Sequence, residues 1–365
     1  MASNAQFTIA VIPGDGIGQE VIPAAIEVIE AARAKTGGFE LDYQMLPMGA
    51  GNYRDTGVEM PDETLEQANA ADAIFLGAIG LPDVRRPDGT EISPHLVIRE
   101  KLGLYAGVRP VKAYPNSPAL LADPRAANID FVIIRESSEG LFHTQGRGEV
   151  IADREARETL LITRETSEKL FDFSFRLARR RKARGKPGKV TCVDKANVFR
   201  AFAFFRKIFD EQRESFPDIE AGYSYVDAQA LDLVRRPWDF DVLVMENMFG
   251  DILSDLGGGL VGGMGMAACG EIGDDHALFQ PAHGSAPDIM GTDRANPLAT
   301  ILSGALMLDW LAERSGNDGL SQAALLIEGA VESAFAAGKL HPMEFGGDQG
   351  TKAATAVLIE MLGTS

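Results

Sequence analysis

Residues 244–256, VMENMFGDILSDL, join the end of an apolar run to the start of a helical pattern. The apolar run, Val242–Met245, has the length of a short buried strand and ends in the polar pair Glu246 and Asn247. A short loop is expected next, followed by a helix that begins near Asp251. A buried strand that leads into a helix is the repeating unit of an α/β protein, so this segment predicts that fold class.

Two carboxylates in the same segment point to a function. Asp251 and Asp255 are four residues apart, so a helix places both side chains on one face. Hard oxygen ligands of this kind suit a divalent cation such as Mg²⁺ or Mn²⁺. The alternative is that two acids merely occupy the first turns of a helix, where the helix dipole favours negative charge.

The rest of the chain repeats the alternation of strand and helix. Short apolar runs predict strands at residues 7–12, 73–76, 131–134, 190–193, 223–226 and 242–245. Longer patterns predict helices at about residues 19–34, 93–102, 163–184, 200–209, 297–313 and 322–337, and from about 350 onward, with Ser93 as the N-cap of the second. The predicted architecture is therefore α/β.

Composition excludes several classes of protein. A chain of 365 residues is longer than one core usually holds, which predicts two domains. Its formal net charge of −18 argues against a nucleic-acid partner. No apolar run approaches the ~20 residues that span a bilayer, so no membrane partner is expected. Cys192 and Cys269 are the only cysteines, and the first residues lack the pattern of a secretory signal, so a cytoplasmic location is expected.

A glycine-rich loop follows the first predicted strand. Gly14, Gly16 and Gly18 have the spacing G-x-G-x-G, without the later glycine of the dinucleotide-binding fingerprint. We therefore expect the loop to serve backbone geometry and close approach of a ligand, and the fold not to be the Rossmann fold.

Several basic side chains stand at positions where a purely structural role is hard to assign. Arg135 ends the apolar run FVIIR, and Arg99 and Arg109 lie within IREKLGLYAGVRP. Because the guanidinium group binds carboxylates bidentately, three converging arginines would hold a polycarboxylate, although single arginines are usually solvated. Lys195 and Asp227 each follow a predicted strand, where ligands of α/β sheets bind. The lysine is either a base with a pKa lowered by burial or a member of a surface ion pair.

Longer motifs carry a resemblance to a known family. They are IPGDGIG (12–18), IREKLGLYAGVRPV (98–111), VIIRESSEG (132–140), DKANVFR (194–200), YVDAQALDLV (225–234), ENMFGDILSDL (246–256), and HGSAPDIMG (283–291) with ANP (295–297). In content and order the chain resembles, nearly end to end, the β-decarboxylating 2-hydroxy-acid dehydrogenases, which include isocitrate, isopropylmalate, homoisocitrate and tartrate/D-malate dehydrogenases. The resemblance implies the two-domain fold of that family. Residues 1–104 plus 262–365 would form a discontinuous cofactor-side domain, and residues 105–261 a domain for substrate, metal and dimerisation.

The resemblance also implies roles for individual residues. Arg99, Arg109 and Arg135 would bind the carboxylates of a hydroxy-di- or tricarboxylate, with Ser93 and His95 beside them. Asp251 and Asp255, with Asp227 from the other subunit, would hold Mg²⁺ or Mn²⁺. Lys195, together with Asp227, would be catalytic, and because both cross a subunit interface in the family, the protein is expected to be a homodimer with shared active sites.

The family places the HGSAPDIMG loop around the adenosine of the cofactor. The cofactor-binding residues implied in this way are Asn197, His283, Gly284, Ser285, Ala286, Asp288 and Asn296. Asp288 would accept hydrogen bonds from the ribose hydroxyls and repel a 2′-phosphate, which predicts NAD rather than NADP. The alternative is that Asp288 only belongs to a turn rich in proline and glycine.

Two positions depart from the family. Phe142 stands where the family has a tyrosine that protonates the enol carbon, and Gln280 stands where relatives often have glutamate. His143 or a water molecule could replace the tyrosine, although adjacent side chains are expected to point in different directions.

The identity of the substrate is not decided by the helix that carries Arg99, because it mixes the polar Ser93 and His95 with the aliphatic Ile92 and Leu96. Isopropylmalate is the first prediction, tartrate or D-malate the second and isocitrate the third. The rival from another class is a non-catalytic, ligand-binding or regulatory paralogue.

Overall fold

The computed structural model describes residues 5–118 and 120–364 and shows the predicted α/β architecture. The strands are β1 (Ala5–Gly14), β2 (Phe39–Met45), β3 (Ala73–Ala78), β4 (Ala106–Lys112), β5 (Asp130–Glu136), β6 (Glu149–Ile151), β7 (Glu155–Arg157), β8 (Lys189–Asp194), β9 (Glu220–Tyr225), β10 (Val242–Met245), β11 (Ala268–Ile272) and β12 (Ala277–Pro281). The helices are α1 (Gly18–Thr36), α2 (Ala50–Thr56), α3 (Asp62–Ala70), α4 (Pro94–Lys101), α5 (Arg164–Ala183), α6 (Arg200–Arg213), α7 (Val226–Arg235), α8 (Asn247–Leu260), α9 (Leu298–Ser315), α10 (Asp318–Ala336) and α11 (Thr351–Thr364).

Ten of these strands form one sheet in the order β2-β1-β3-β12-β11-β4-β5-β10-β8-β9. The strands at both ends of this order pair in parallel, and antiparallel pairing is confined to β12–β11, β11–β4 and β4–β5 in the middle. The first five strands in the order come from residues 1–104 and 262–365, and the last five from residues 105–261. Strands from the two predicted domains thus meet in the sheet where β11 pairs with β4. The division into two domains itself stays a prediction.

The core lies on the two faces of this sheet. Val242–Met245 is fully buried, as expected of a central parallel strand covered on both faces. Helix α9 is buried on most of its surface and packs against β11, β12 and the helices α1 and α10. Phenylalanines of α5 and α6 pack against each other on the other half of the sheet, for example Phe171 with Phe205 at 4.6 Å between ring centroids and a tilt of 53°. Within the described part of the chain, no helix is long and apolar enough to cross a bilayer.

The predicted strands and long helices are all present, but some boundaries were wrong. Helix α8 begins at Asn247 without an intervening loop, because the Glu246 carboxylate caps it by accepting from the backbone N–H groups of Met248 (3.2 Å) and Phe249 (3.4 Å). Strand β9 ends at Tyr225, so Asp227 lies in the first turn of α7 and does not end a strand. Ser93 holds the N-cap position of α4, yet its side chain makes no capping hydrogen bond.

The glycine loop after β1 has the geometric role expected of it. Gly14 has a φ of +72°, and a Cβ there would lie 1.9 Å from the carbonyl oxygen of Ala78. Gly16 has a φ of +55°, and its Cβ would lie 2.0 Å from the carbonyl oxygen of Ser285. The backbone of this loop therefore packs directly against β3 and against the HGSAPDIMG segment, where only glycine fits.

Candidate active site

The end of β5 and the start of α8 meet through one arginine. The Nε and Nη2 groups of Arg135 donate to Asn247 Oδ1 at 2.9 and 2.8 Å, and Nη1 forms an ion pair with Asp251. Asn247 in turn donates from its Nδ2 to the backbone oxygen of Glu139, at 2.8 Å. The guanidinium is buried, and burial together with repulsion by two other arginines lowers the pKa of Arg135 to about 10, so it stays charged at neutral pH.

The other two predicted substrate arginines converge on a buried glutamate. Arg99 and Arg109 each place Nη2 at 2.9 Å from the same oxygen, Oε1 of Glu271 on β11. Glu271 is 0% exposed. Burial alone would favour its neutral form, but the nearby guanidinium groups of Arg99, Arg109 and Arg135 lower the pKa of Glu271 to about 2. The structure therefore brings all three arginines to one buried cluster, as predicted, and adds a carboxylate that the sequence analysis missed.

Asp251 and Asp255 lie on one face of α8 at the edge of this cluster. Partial burial and the negative charge of Asp251 raise the pKa of Asp255, partly opposed by Arg109 and Arg135. A divalent cation between the two carboxylates would relieve this repulsion, so their chemistry fits Mg²⁺ or Mn²⁺. Among the described residues no cluster of three metal-ligating side chains occurs, so the third carboxylate of the predicted set does not join these two within one chain.

Lys195 and Asp227 form a separate pair. Lys195 Nζ makes an ion pair with Asp227, whose side chain is 69% exposed, and this pairing lowers the pKa of the Asp227 carboxyl. The prediction joined Asp227 to Asp251 and Asp255 through a second subunit. In the single chain Asp227 is exposed and Lys195 is partly buried, and the contribution of both to a neighbouring subunit stays a prediction.

A cavity of about 350 Å³ lies beside the arginine cluster. Ser93, Phe142 and His143 line it, and the Phe142 ring centroid is 5.0 Å from the guanidinium carbon of Arg135. Phe142 and His143 thus border the same cavity, and the replacement of the tyrosine by His143 or a water molecule stays a prediction. His95 lies next to the arginines, and its buried Nδ1 has no hydrogen-bond partner among the described residues. Burial and repulsion by Arg99 lower its pKa to about 3, which keeps the imidazole neutral.

A second cavity, of about 530 Å³, lies between the HGSAPDIMG loop and α8. Its lining includes His283, Gly284, Ala286, Asn296 and Asp255, so the predicted cofactor-binding residues and a predicted metal ligand share one space. The size and the mixed apolar and polar lining suit part of a dinucleotide.

Three other predicted cofactor residues lie outside this lining. Ser285 is buried and donates through Oγ to the backbone oxygen of Gly80, which ties the loop to the end of β3. Asn197 and Asp288 are exposed in the single chain. Gln280 is buried in β12. The contribution of Asn197 and Asp288 to cofactor binding stays a prediction.

Sequence reasoning missed residues that organise the site from within. Glu271 stands in the buried stretch ACGEI of β11, and a lone acid in an apolar strand was the available signal. Asn247 was noted only as part of a polar pair, yet it holds Arg135. Glu136 is a further buried acid, which accepts from the backbone N–H groups of Ser138 (2.6 Å) and Glu139 (3.0 Å), and burial raises its pKa to about 7.

Comparisons with known proteins agree with this geometry. A family model described as isocitrate/isopropylmalate dehydrogenase matches residues 8–362. The 3-isopropylmalate/3-methylmalate dehydrogenase of Methanocaldococcus jannaschii is 43% identical over 344 residues, which cover 94% of this chain and 95% of that protein. The 3-isopropylmalate dehydrogenase of Moorella thermoacetica is 39% identical over 345 residues, covering 92% of each. The crystal structure of isocitrate dehydrogenase from Methylococcus capsulatus superposes with a TM-score of 0.84 at 35% identity, covering 98% of this chain and 99% of that one.

Proposed function

Because the chain belongs to the isocitrate/isopropylmalate dehydrogenase family, we propose that it oxidises 3-isopropylmalate with NAD and Mg²⁺ or Mn²⁺ and then releases CO₂. The observation that carries this proposal is the convergence of Arg99, Arg109 and Arg135 at the face of α8 that bears Asp251. Relatives at 38 to 43% identity named as 3-isopropylmalate dehydrogenases support isopropylmalate as the first substrate to test.

The three arginines would bind and orient the substrate. Their guanidinium groups are buried and fixed by Glu271 and Asn247, so little side-chain entropy is lost when carboxylates bind. Arg135 would exchange part of its contact with Asp251 for a substrate carboxylate, which frees that aspartate for a metal ion. Orientation of this kind is a large part of catalysis by preorganised sites.

Asp251 and Asp255 would hold the divalent cation, and His283, Gly284, Ala286 and Asn296 would contact the dinucleotide. When bound, the cation supplies Lewis-acid stabilisation of the negative charge on the substrate oxygen, and NAD supplies the hydride acceptor. The chain's own contribution is a buried arginine cluster that holds the carboxylates and a paired acid set that faces the reacting hydroxyl.

A second copy of the chain would complete the site. In the single chain Asp227 is exposed and Lys195 is partly exposed, and among the described residues Asp227 joins no group of three metal-ligating side chains, which fits donation of both to a neighbouring subunit. Exposed apolar side chains on α7 and α8 support a homodimer through these helices, namely Leu231, Val234 and Ile252. Lys195 of one subunit would then take the hydroxyl proton from substrate bound to the other.

The remaining parts of the proposal follow from single residues. Asp288 favours NAD over NADP by repelling a 2′-phosphate. Cys192 and Cys269 are both buried and free, which fits a reducing cytoplasm.

The second candidate function is a ligand-binding paralogue without turnover. Its support is Phe142, which borders the cavity of about 350 Å³ beside the arginine cluster and has no proton to donate.

A substrate panel tests the proposal. The purified protein with Mn²⁺ is given 3-isopropylmalate, 3-methylmalate, D-malate, tartrate or isocitrate, each with NAD and in parallel with NADP, while NADH or NADPH formation and CO₂ release are recorded. We expect NADH and CO₂ with 3-isopropylmalate and little reduction of NADP. Binding of these acids without reduction of either cofactor would instead support the paralogue.

A further inference from the structure

We propose that Glu271 limits the substrate class of this site: it neutralises one charge of the arginine cluster, so the site accepts dicarboxylates with an uncharged side group and rejects tricarboxylates. This inference rests on the proposed function, because it assumes that the cluster is the substrate site. It assigns a specificity role to a residue that does not itself react.

The geometry of Glu271 makes it a resident carboxylate within a carboxylate-binding cluster. A single oxygen, Oε1, lies 2.9 Å from both Arg99 Nη2 and Arg109 Nη2. Glu271 is fully buried on the central strand β11, so this contact is not a solvated surface pair. Arg109 thereby donates a hydrogen bond to Glu271, and Arg99 forms an ion pair with it, before any ligand arrives.

The charge balance follows from these contacts. The cluster contains three guanidinium charges, and the Glu271 carboxylate cancels one of them, since its pKa lies far below neutral pH. The two acids Asp251 and Asp255 match the two charges of the divalent cation proposed for them. Two positive charges remain for the ligand, which is the complement of a dicarboxylate.

The neighbouring imidazole does not restore the cancelled charge. His95 lies four residues before Arg99 on α4, and burial beside Arg99 keeps it neutral at physiological pH. A third carboxylate bound by the same arginines would lie near Glu271 in a buried, weakly screened setting, where like charges repel strongly. An aliphatic or methyl group at the same place carries no such cost.

Two unreactive ligands that differ in one group test the inference. Tricarballylate and 2-isopropylsuccinate share a succinate backbone, lack the hydroxyl group that is oxidised, and carry a carboxymethyl or an isopropyl group respectively. Their dissociation constants are measured by calorimetry at the same free Mg²⁺ concentration, for the wild-type protein, Glu271→Gln and Glu271→Asp. The aspartate variant keeps the charge and serves as the matched control.

We expect the wild type to bind 2-isopropylsuccinate at least about tenfold more tightly than tricarballylate, and Glu271→Gln to shift that ratio about tenfold or more toward tricarballylate. Glu271→Asp should keep the wild-type preference. If Glu271 only positions the arginines, Glu271→Gln weakens the binding of both ligands equally. The ratio of their dissociation constants then stays at the wild-type value, which overturns the inference.

Two further outcomes are distinguished by separate measurements. If Glu271→Gln fails to fold, the wild-type ratio decides alone, because equal or tighter binding of tricarballylate to the wild type contradicts the charge argument. The proposed function fails separately, when no hydroxy acid reduces NAD, and this is read from turnover rather than from the two unreactive ligands.

Discussion

Arg135 at the carboxyl end of β5 forms an ion pair with Asp251 in the second turn of α8, across 116 positions of sequence. The pair is possible because Gly250 lets the helix approach the strand: a Cβ on Gly250 would lie 2.6 Å from the Cβ of Arg135. A predicted substrate ligand and a predicted metal ligand are therefore already in contact, and binding of substrate and cation must rearrange the same two side chains.

The close approach at Gly250 predicts a cost for a single methyl group. Gly250→Ala should destabilise the protein by about 1–3 kcal/mol, because the added Cβ meets the fixed stem of Arg135 rather than a flexible end. Urea unfolding measures the change. Gly329→Ala is the matched control, since it lies on the exposed face of α10 with no atom within 4 Å of its Cβ, and it should be neutral or stabilise by up to ~1 kcal/mol. Equal effects of both substitutions would contradict the packing argument.

The role proposed for Asp251 predicts a loss of turnover without a loss of fold. Asp251→Asn should lower metal-dependent NADH formation at least ~100-fold, because an amide is a poor replacement for an anionic ligand of a hard cation. The melting temperature should change little, since the side chain is about half exposed at 49%. Asp62→Asn, at the exposed start of α3, is the control and should leave turnover unchanged. Retained activity in Asp251→Asn would remove the metal assignment.

Phe142 offers a gain-of-function test. Phe142→Tyr adds a hydroxyl group near Arg135 in the cavity of about 350 Å³, at the position where the family resemblance implies a proton donor to the enol carbon. We expect conversion of the enol to the 2-oxo acid product to accelerate by ~10- to 100-fold, as for other well-placed general acids. Phe142→Leu, which removes the ring without adding a donor, should not accelerate it. If the tyrosine variant is no faster, another group such as His143 already supplies the proton.

Shared active sites predict complementation between inactive variants. Lys195→Ala and Asp251→Asn should each be inactive, yet their co-refolded mixture should recover about a quarter of wild-type activity, because half of the dimers are mixed and each mixed dimer has one intact site. The control mixture, Lys195→Ala with Asp227→Asn, should recover no activity. Both residues would be supplied to a site by the second subunit, so each site of a mixed dimer lacks one of them. Equal inactivity of both mixtures would place the whole site within one chain.

Two buried groups near the site predict opposite dependences of stability on pH. The pKa of His95 falls from 6.5 to about 3, mainly through burial, so the unfolded chain binds its proton first and stability is lost as pH falls below about 6.5. The pKa of Glu136 rises from 4.5 to about 7, also through burial, so the folded chain binds its proton first and stability increases as pH falls from about 7 to 4.5.

The two effects therefore oppose each other between about pH 4.5 and 6.5, and single substitutions should separate them. Relative to wild type, His95→Gln should gain stability on acidification through this range, and Glu136→Gln should lose it, each by up to ~1.4 kcal/mol per pH unit. Denaturant unfolding at a series of pH values measures both. Parallel curves for the two variants would show that neither group titrates as inferred.

Part of the fold was readable from the chain because its signals are local. The central strands are continuous apolar runs, and the long helices carry apolar positions at helical spacing, so both were predicted. The sheet strands β2, β4, β11 and β12 were missed: β4 is interrupted by Arg109 and Pro110, and β11 contains Gly270 and Glu271. Their strand conformation comes from neighbours in the sheet, since β11 lies between β4 and β12.

The candidate site was likewise predicted only in part from the sequence. The four-residue spacing of Asp251 and Asp255, the arginines at the ends of apolar runs and the ordered family motifs are properties of the sequence, and they were enough to predict the family and its α/β fold. The pairing of Arg109 with Glu271, 162 positions apart, exists only because β4 and β11 lie side by side in the folded sheet. Helical periodicity determines which nearby residues share a helix face, so the sequence alone was enough to pair Asp251 with Asp255. The burial and charge balance of the arginine cluster depend on packing between distant segments, and local sequence patterns do not reveal that packing.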